Sequence, residues 1–266
     1  MGAPAITEDH VFVTTTRSPS GDLSLAAISL AEEIRCPFVT RGRRPLKGLI
    51  GDPERVDHPI VVAEHEIRFE FGGEVHRFHP NMARPRIRSL VKGDKDRMVE
   101  AAGLRSGDSF LDCTCGLGSD AMVVAHVVGR EGRVSAIEQS KVLASIVRYG
   151  MRTYAHPAVD VVHAMRRVAV VCTDSAHLLQ TLDDWSWDVV YFDPMFESTL
   201  SHSQGLSLVR LLAYSGVPTE ETLGEAARVA RRAVVVKDRV SGSLIEELGL
   251  SVISDSGRVR YGRLNV

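Results

Sequence analysis

The side chains in this sequence that could do chemistry are carboxylates, and they recur at the ends of short apolar stretches. The first stretch ends at Asp112, the second at Glu138 and the fourth at Asp193, and Asp174 closely follows the third. If these stretches are neighbouring parallel strands, their carboxyl ends share the edge where open α/β sheets bind ligands. We therefore expect the four carboxylates to face one pocket.

The loop after the first stretch suits a ligand that approaches the main chain closely. Gly116 and Gly118 follow Asp112 in FLDCTCGLGSD, and residues without a Cβ turn sharply and leave room for a ligand. With Ala121 they satisfy GxGxxA, and Glu138 follows at about the 20-residue spacing of the ribose-binding acid in a nicotinamide dinucleotide site. The glycine motif alone therefore leaves a nicotinamide-dependent oxidoreductase open.

Negative charge separates the two classes of ligand. A pyrophosphate needs helix N-terminal amides and tolerates little negative charge beside it. Asp112, Asp120 and Asp174 are expected in the same pocket, and buried carboxylates suit a ligand with ammonium and sulfonium groups. S-adenosylmethionine is such a ligand, and we expect it as the cofactor.

The loop after the fourth stretch can position a planar amine. Residues 187–196 read WDVVYFDPMF, which places Asp193, Pro194 and Phe196 at the carboxyl end of the strand. An exocyclic ring amine is a poor nucleophile because its lone pair is delocalised. The Asp193 carboxylate and the Pro194 carbonyl can accept its two N–H bonds and stabilise the charge that develops, and Phe196 can stack on the ring. These three residues are the predicted catalytic residues of an N-methyltransferase.

Taken together, DCTCGLGSDA, IEQS and VVYFDPMF resemble the RsmJ-type small-subunit ribosomal RNA (guanine-N2)-methyltransferases and their uncharacterised class I relatives. The resemblance covers residues 98–266 well and the preceding part loosely. It implies that Glu138 binds the ribose hydroxyls, that Asp174 binds the adenine amine, and that guanine in structured RNA is the acceptor. The cofactor-binding candidates are Asp112, Thr114, Gly116, Gly118, Ser119, Asp120, Glu138, Gln139, Asp174, Ser175 and Asp193.

The acceptor has open alternatives. Glu197 and the uncharged residues 198–206 stand where the resembling enzymes carry basic residues. A protein or a small molecule therefore stays possible as the acceptor. A non-catalytic RNA-binding module that keeps the cofactor pocket as a relic is a further alternative.

The elements that must position these residues alternate between strand and helix. Strands are predicted at 109–113, 133–138, 168–172, 187–192 and 233–237, with helices at 119–128, 140–154, 175–182 and 219–231 between them. A helix at 243–248 and two strands, 250–253 and 259–265, joined by a tight turn at 254–257, close the chain. This pattern predicts right-handed βαβ units and an antiparallel end. The predicted fold is α/β, a Rossmann-like class I methyltransferase with a mostly parallel doubly wound sheet that ends in an antiparallel hairpin.

Three parts are predicted along the chain. Residues 1–78 form a small N-terminal α/β unit, with a strand at 11–16, a helix at 23–34, a loop at 41–48 and strands at 60–63, 67–71 and 75–78. Residues 79–108 are a basic connecting segment with a helix, and residues 109–266 form the S-adenosylmethionine-binding domain. Between Arg84 and Arg97 the connecting segment has more basic than acidic residues. It is either a solvated helix face or the edge that contacts RNA phosphates, and RNA is the expected partner.

Composition limits the remaining classes of protein. The 266 residues are 44% hydrophobic and 25% charged, which is typical of a soluble globular protein. A formal net charge of -2 excludes a wholly basic nucleic-acid binder but not a local basic patch. Apolar runs are too short for a membrane span and no export signal is evident, so we expect a cytoplasmic protein. Neither the four cysteines nor the histidines have metal-ligand spacing, so we expect no metal. The pattern does not indicate an oligomeric state.

Overall fold

In the computed structural model, residues 6–49, 58–80, 82–194, 211–213 and 217–266 are described. Contacts divide the chain into two compact units. Unit 1 comprises Met1–His79, Ser140–Ala155 and Leu200–Tyr214, and unit 2 comprises Pro80–Gln139, His156–Thr199 and Ser215–Val266. The predicted division at residues 78 and 108 stays a prediction. The contact-based units differ from it chiefly in placing residues 140–155 with the N-terminal strands.

The described elements follow the predicted alternation. In chain order they are β1 (Val11–Thr15), α1 (Gly21–Ile34), β2 (His58–Val62), β3 (Ile67–Phe71), β4 (Glu74–Arg77), α2 (Ala83–Val91), α3 (Arg97–Ala102), β5 (Ser109–Asp112), α4 (Ser119–Val128), β6 (Arg133–Glu138), α5 (Lys141–Thr153), α6 (Val159–Arg167), β7 (Val168–Cys172), α7 (Ser175–Thr181), β8 (Trp187–Phe192), α8 (Glu220–Val229), β9 (Ala230–Arg239), α9 (Leu244–Glu247), β10 (Ser251–Ser256) and β11 (Val259–Asn265).

Unit 1 is a four-stranded sheet with helices α1 and α5. Its strand order is β1-β2-β3-β4, in which β1 and β2 are parallel and the other pairs antiparallel. Helix α1 begins at Ser20, whose side chain accepts a hydrogen bond from the N–H of Leu23. It buries apolar residues at helical spacing, which fastens it to the sheet. Helix α5 is held in the same unit by hydrogen bonds from Ser145 to Glu33 and from the Tyr149 hydroxyl to the carbonyl of Ala63.

Unit 2 is built on a seven-stranded sheet of order β10-β11-β9-β8-β5-β6-β7. Strands β7, β6, β5, β8 and β9 are parallel to one another, and β11 is antiparallel to both β9 and β10. The predicted parallel sheet with an antiparallel hairpin at its end is therefore confirmed.

Both faces of this sheet are buried. Leu111 and Val190 belong to a core that includes Leu179 of α7 and Leu223 of α8. Side chains alternate between the two faces along a strand, so Phe110 and Tyr191, which adjoin Leu111 and Val190 in sequence, lie on the other face. Their rings contact each other with centroids 5.5 Å apart, and both side chains are fully buried. A parallel sheet covered on both faces leaves its carboxyl edge as the place for polar side chains.

Helix α6 and strands β9 and β10 differ most from the prediction. Helix α6 (Val159–Arg167) was not predicted, although it buries Val161, Ala164 and Met165 at helical spacing. Strand β9 runs from Ala230 to Arg239, longer than predicted, because Arg231 and Arg232 made its start look like the end of a polar helix. Strand β10 continues to Ser256, so the hairpin turns at Gly257, which has a φ of 71°. No described helix has the length and apolar character that crossing a bilayer requires.

Candidate active site

The ends of β5 and β8 are joined through Thr114. The buried carboxylate of Asp112 accepts hydrogen bonds from the N–H of Thr114 at 2.9 Å and from its hydroxyl at 3.3 Å. The same hydroxyl oxygen accepts a hydrogen bond from the N–H of Asp193 at 2.6 Å. Three of the predicted site residues therefore form one connected group, and Thr114 holds the backbone N–H of Asp193 directly after β8.

The glycine loop adopts the conformation that its residue types permit. Gly116 has a φ of 51° and Gly118 a φ of 73°, in the left-handed region that penalises residues with a Cβ. The N–H of Gly116 donates to the Glu138 carboxylate at 3.1 Å, and the N–H of Cys115 donates to the carbonyl of Ile137 at 2.8 Å. The loop and the end of β6 are thereby held together, and Glu138 is positioned beside the loop.

A chain of alternating charges runs from the start of α3 to the end of β8. Asp96 is paired with Arg86 at 2.7 Å, and Arg86 is also paired with Asp120. Lys237 lies 3.4 Å from the Asp120 carboxylate and 2.7 Å from that of Asp193. We call these five residues the charge chain. It connects Asp193 to a helix that is remote in sequence, and it contains two cations between three carboxylates.

The charge chain controls which of its groups are ionised. Burial alone would raise the pKa of Asp120, but Lys237 and Arg86 hold that pKa below its usual value, and the Tyr191 hydroxyl donates to the carboxylate at 2.9 Å. Burial would likewise lower the pKa of Lys237 and of Arg86, yet the neighbouring carboxylates raise both. Asp120 and the two cations are therefore charged at neutral pH.

The remaining two aspartates differ from Asp120. Burial, and to a smaller extent the charges of Asp120 and Asp193, raise the pKa of Asp112 to about 8 despite its hydrogen bonds from Thr114. Burial also raises the pKa of Asp193, with Lys237 acting in the opposite direction. The side chain of Asp193 keeps 35% of its surface exposed, so a ligand can reach it.

The carboxylates of the site carry less net charge than the sequence indicated. Asp112, Asp120 and Asp174 were expected to lie in one pocket and to suit a cationic ligand. Asp120 is instead compensated by Arg86 and Lys237, and the raised pKa of Asp112 makes it largely protonated at neutral pH. A ligand would therefore meet less negative charge here than three ionised aspartates would supply.

The other predicted residues lie at the same edge of the sheet. Asp174 caps α7 by accepting a hydrogen bond from the N–H of His177 at 2.8 Å, as an ordinary helix cap does. The preceding N–H, of Thr173, donates to the carbonyl of Glu138 at 3.2 Å, which ties the ends of β6 and β7 together. The remaining candidates are the half-buried first residues of α4 and α7, Ser119 and Ser175, and the exposed Gln139. Phe196 lies outside the described residues.

Lys237 was missed as a site residue. Phe192 pairs with Val236, so Lys237 follows β8's last paired position on the neighbouring strand. The signal in the sequence was a single lysine that ends the apolar run AVVVK. It could be interpreted only once the neighbour of that strand was known.

The connecting segment is less available to RNA than its composition indicated. Arg86 belongs to the charge chain, Arg97 donates to Ser254 and to the carbonyl of Val259, and Lys95 pairs with Glu100. Arg84, Arg88 and Lys92 are the other basic residues, and they are exposed. A cleft of about 390 Å³ opens beside the segment, lined by Arg86, Arg97 and Tyr261 among others. Within the described ranges, no cluster of His, Cys, Asp and Glu suits a metal ion.

Comparison with known proteins assigns the chain to a family. Residues 75–262 match the family described as "Putative SAM-dependent methyltransferase". The uncharacterized protein YpiP of Bacillus subtilis is 37% identical over 241 residues, which are 91% of this chain and 93% of that protein. Ribosomal RNA small subunit methyltransferase J of Thioalkalivibrio sulfidiphilus is 27% identical over 227 residues, 83% of this chain and 85% of that protein.

A solved structure supports the fold. The SAM-dependent methyltransferase NGO1261 of Neisseria gonorrhoeae superposes with a TM-score of 0.60 at 18% identity, covering 96% of this chain and 95% of its own. The predicted class I Rossmann-like fold is confirmed, and the cofactor is S-adenosylmethionine. The chain belongs to the S-adenosylmethionine-dependent methyltransferase family.

Proposed function

We propose that this methyltransferase acts on the exocyclic N2 amine of a guanine in structured RNA, with small-subunit ribosomal RNA as its substrate class. The observation that carries the proposal is the carboxylate of Asp193, directly after β8, which Lys237 holds at 2.7 Å and which remains partly exposed. The names of the relatives that act on small-subunit ribosomal RNA support RNA as the acceptor.

The residues at the carboxyl edge of unit 2 fit the cofactor. The left-handed glycines leave no Cβ between the loop backbone and a ligand. Glu138 is held beside that loop through the N–H of Gly116 and offers carboxylate oxygens of the kind that bind ribose hydroxyls. When bound, S-adenosylmethionine supplies a methyl group on a sulfonium centre.

Asp193 positions the acceptor amine. Its backbone N–H is fixed by Thr114 and its Oδ2 by Lys237, so the carboxylate has a defined orientation. In this role it accepts an N–H of the amine, directs the nitrogen lone pair toward the methyl group and stabilises the positive charge that develops on nitrogen. Only the ionised carboxylate can do so without a competing proton, and Lys237 favours that form.

Pro194 contributes its carbonyl as the second acceptor for the amine. A proline has no N–H of its own, so the backbone at this residue offers the amine an acceptor and no competing donor. Phe196 is proposed to stack on the guanine ring. Asp193 and the Pro194 carbonyl would hold the amine in line with the methyl group that bound S-adenosylmethionine would supply; S-adenosylhomocysteine would be released, and the methylated nitrogen would pass its proton to water. No covalent enzyme intermediate is required.

The test is methyl transfer by the Asp193→Ala variant. Tritium is followed from methyl-labelled S-adenosylmethionine into RNA, protein and metabolite fractions of a cell extract, with cofactor binding measured by isothermal titration. We expect the variant to lose at least about a hundredfold in transfer rate, in the range of a lost electrostatic stabiliser, while it still binds the cofactor. The matched control is Asp183→Ala, which removes an exposed aspartate that precedes β8.

Three results would contradict parts of this proposal. Full activity in Asp193→Ala would remove the assigned role of that residue. Label that enters protein or metabolites instead of RNA would leave methyl transfer standing but overturn the acceptor. A wild-type protein that labels no fraction, although it binds the cofactor, would favour a non-catalytic RNA-binding module.

A further inference from the structure

A basic loop in unit 1 is fastened to the end of strand β1. The N–H of Val13 donates to the carbonyl of Pro37 at 2.9 Å, and the N–H of Val39 donates back to the carbonyl of Val13 at 2.8 Å. The buried hydroxyl of Thr14 adds a hydrogen bond to the carbonyl of Val39 at 2.7 Å. These bonds place the following residues, which read TRGRRPLKG, beside the carboxyl end of β1.

The arginines of this loop are bonded to neutral acceptors. Arg41 donates to the carbonyl of Thr15 at 3.4 Å and to that of Arg44 at 3.3 Å, and Arg44 donates to the carbonyl of Thr40 at 2.5 Å. Arg43 is exposed. A carbonyl oxygen orients a guanidinium but does not cancel its charge, so the loop keeps its positive charge.

Further arginines approach the same place. Burial lowers the pKa of Arg41, and the like charges of Arg17 and Arg68 lower it further, while Glu70 acts in the opposite direction. Arg17 is exposed just after β1, whereas Arg68 on β3 is paired with Glu66 and Glu70. We call Arg17, Arg41, Arg43 and Arg44 the arginine cluster. Within the cluster, the like charge of Arg17 acts on Arg41, and a polyanion would relieve that repulsion.

Arginine is suited to phosphate in particular. Its planar guanidinium offers paired N–H donors that match phosphate oxygens, and it is charged at every physiological pH. In the connecting segment, Arg86, Lys95 and Arg97 are engaged with carboxylates and carbonyls of unit 2, whereas Arg84, Arg88 and Lys92 are exposed. In the arginine cluster, the bonds of Arg41 and Arg44 go to carbonyl oxygens, so the cluster keeps its charge for an external anion.

We propose that the arginine cluster of unit 1 is the surface that binds the phosphate backbone of the RNA acceptor. This inference rests on the proposed function, since it takes RNA as the acceptor. Phosphate contacts set the register of a nucleic acid without reading its bases. Unit 1 thus anchors the RNA, and the choice of the methylated base is left to unit 2.

The experiment compares two double charge reversals that change the net charge equally. Arg43→Glu/Arg44→Glu alters the cluster, and Arg105→Glu/Arg130→Glu alters exposed arginines that precede β5 and β6 at the opposite end of the parallel strands. Binding of a radiolabelled transcript of small-subunit ribosomal RNA is measured by filter retention at several salt concentrations. Cofactor binding by isothermal titration and the circular dichroism spectrum show that each variant is folded. Arg43→Gln/Arg44→Gln serves as a milder substitute should the first pair unfold.

We expect the cluster reversal to weaken RNA binding about tenfold or more at low salt and to lower the slope of log affinity against log salt by about two. The control reversal should change the affinity by less than about threefold. Equal losses in both pairs, an unchanged affinity in the cluster variant, or a wild-type protein that does not bind the transcript would each overturn the inference. RNA binding that depends on the cluster while no RNA is methylated would preserve the surface and refute only the proposed acceptor.

Discussion

Two sets of cations in this protein share their chemistry and differ in what they contact. Arg86 and Lys237 lie within unit 2 between carboxylates, and each bridges two of them. In the arginine cluster of unit 1, Arg41 and Arg44 donate to backbone carbonyls, and the like charge of Arg17 acts on Arg41. The first set neutralises buried carboxylates of the charge chain, whereas the second keeps its positive charge because carbonyl oxygens are neutral. A basic residue whose guanidinium or ammonium group meets a carboxylate neutralises it, whereas one that meets a carbonyl keeps its charge for an external anion.

The two sets of cations should differ in how much their removal lowers the stability of the protein. Removing one partner of a buried ion pair leaves an uncompensated charge and costs about 3 to 5 kcal/mol. Changing an exposed charge that contacts no carboxylate usually changes the stability by less than about 0.5 kcal/mol. Substitutions of Arg86 and Lys237 should therefore affect folding and catalysis, and substitutions in the arginine cluster should affect binding alone.

The largest effect on stability is expected for Arg86→Met. This change keeps the length of the side chain but leaves Asp120 and Asp96 without their shared cation. We expect the free energy of unfolding, measured in urea, to fall by about 3 kcal/mol or more. Arg84→Met on the same helix is the control, because Arg84 is exposed. An equal loss of unfolding free energy in Arg86→Met and Arg84→Met would show that the ion pairs of Arg86 do not stabilise the fold.

Lys237→Met should affect catalysis more specifically. Lys237 lowers the pKa of Asp193 against the effect of burial, so without it that pKa rises and a smaller fraction of Asp193 is ionised at neutral pH. We expect the rate of methyl transfer to RNA to fall by about a hundredfold at pH 7 and to recover partly as the pH is raised.

The variant Lys237→Arg serves as the control for that change, because it keeps the charge and should retain the wild-type pH profile. A purely structural role would lower the rate of Lys237→Met equally at every pH. That outcome, with cofactor affinity unchanged, would remove Lys237 as the residue that positions Asp193.

The fold was accessible from the sequence because its signals are local. Apolar β-branched stretches with polar loops placed β6, β7 and β8 at their observed bounds, and the apolar run after the glycine loop placed α4. The unpredicted α6 was obscured because its short apolar stripe is interrupted by Asp160 and His163. The start of β9 was missed because exposed arginines mask its pairing with β8.

Only the carboxylates of the site could be predicted from the sequence, because their pairing with cations depends on long-range contacts. Carboxylates at strand ends can be recognised from the strands that precede them. Their cations come from elsewhere in the chain: Lys237 lies 44 residues from Asp193, and Arg86 lies 34 residues from Asp120. These pairs depend on the order of strands in the sheet and on the packing of α2, which no local pattern encodes. The net charge of the pocket was therefore overstated.

Asp112 provides the smallest and most selective test, since it is a buried carboxylate that accepts hydrogen bonds from the N–H and the hydroxyl of Thr114. Its pKa is raised by burial to about 8, so the folded state binds a proton that the unfolded state releases near pH 4. This contribution to stability is complete below about pH 4 and is lost as the pH rises toward 8, with a slope of at most about 1.4 kcal/mol per pH unit.

Asp112→Asn should remove that slope, because the amide does not titrate. The measurement is the free energy of unfolding in urea at several values between pH 5 and pH 8. Asp120 titrates below this window because its pKa is lowered, so it does not interfere, whereas Asp193 leaves a residual slope in the same direction. An identical pH dependence in wild type and variant would mean that Asp112 is ionised in the fold. An ionised Asp112 would need a cation partner, and it could no longer be contrasted with Asp120 as a carboxyl group that burial keeps protonated.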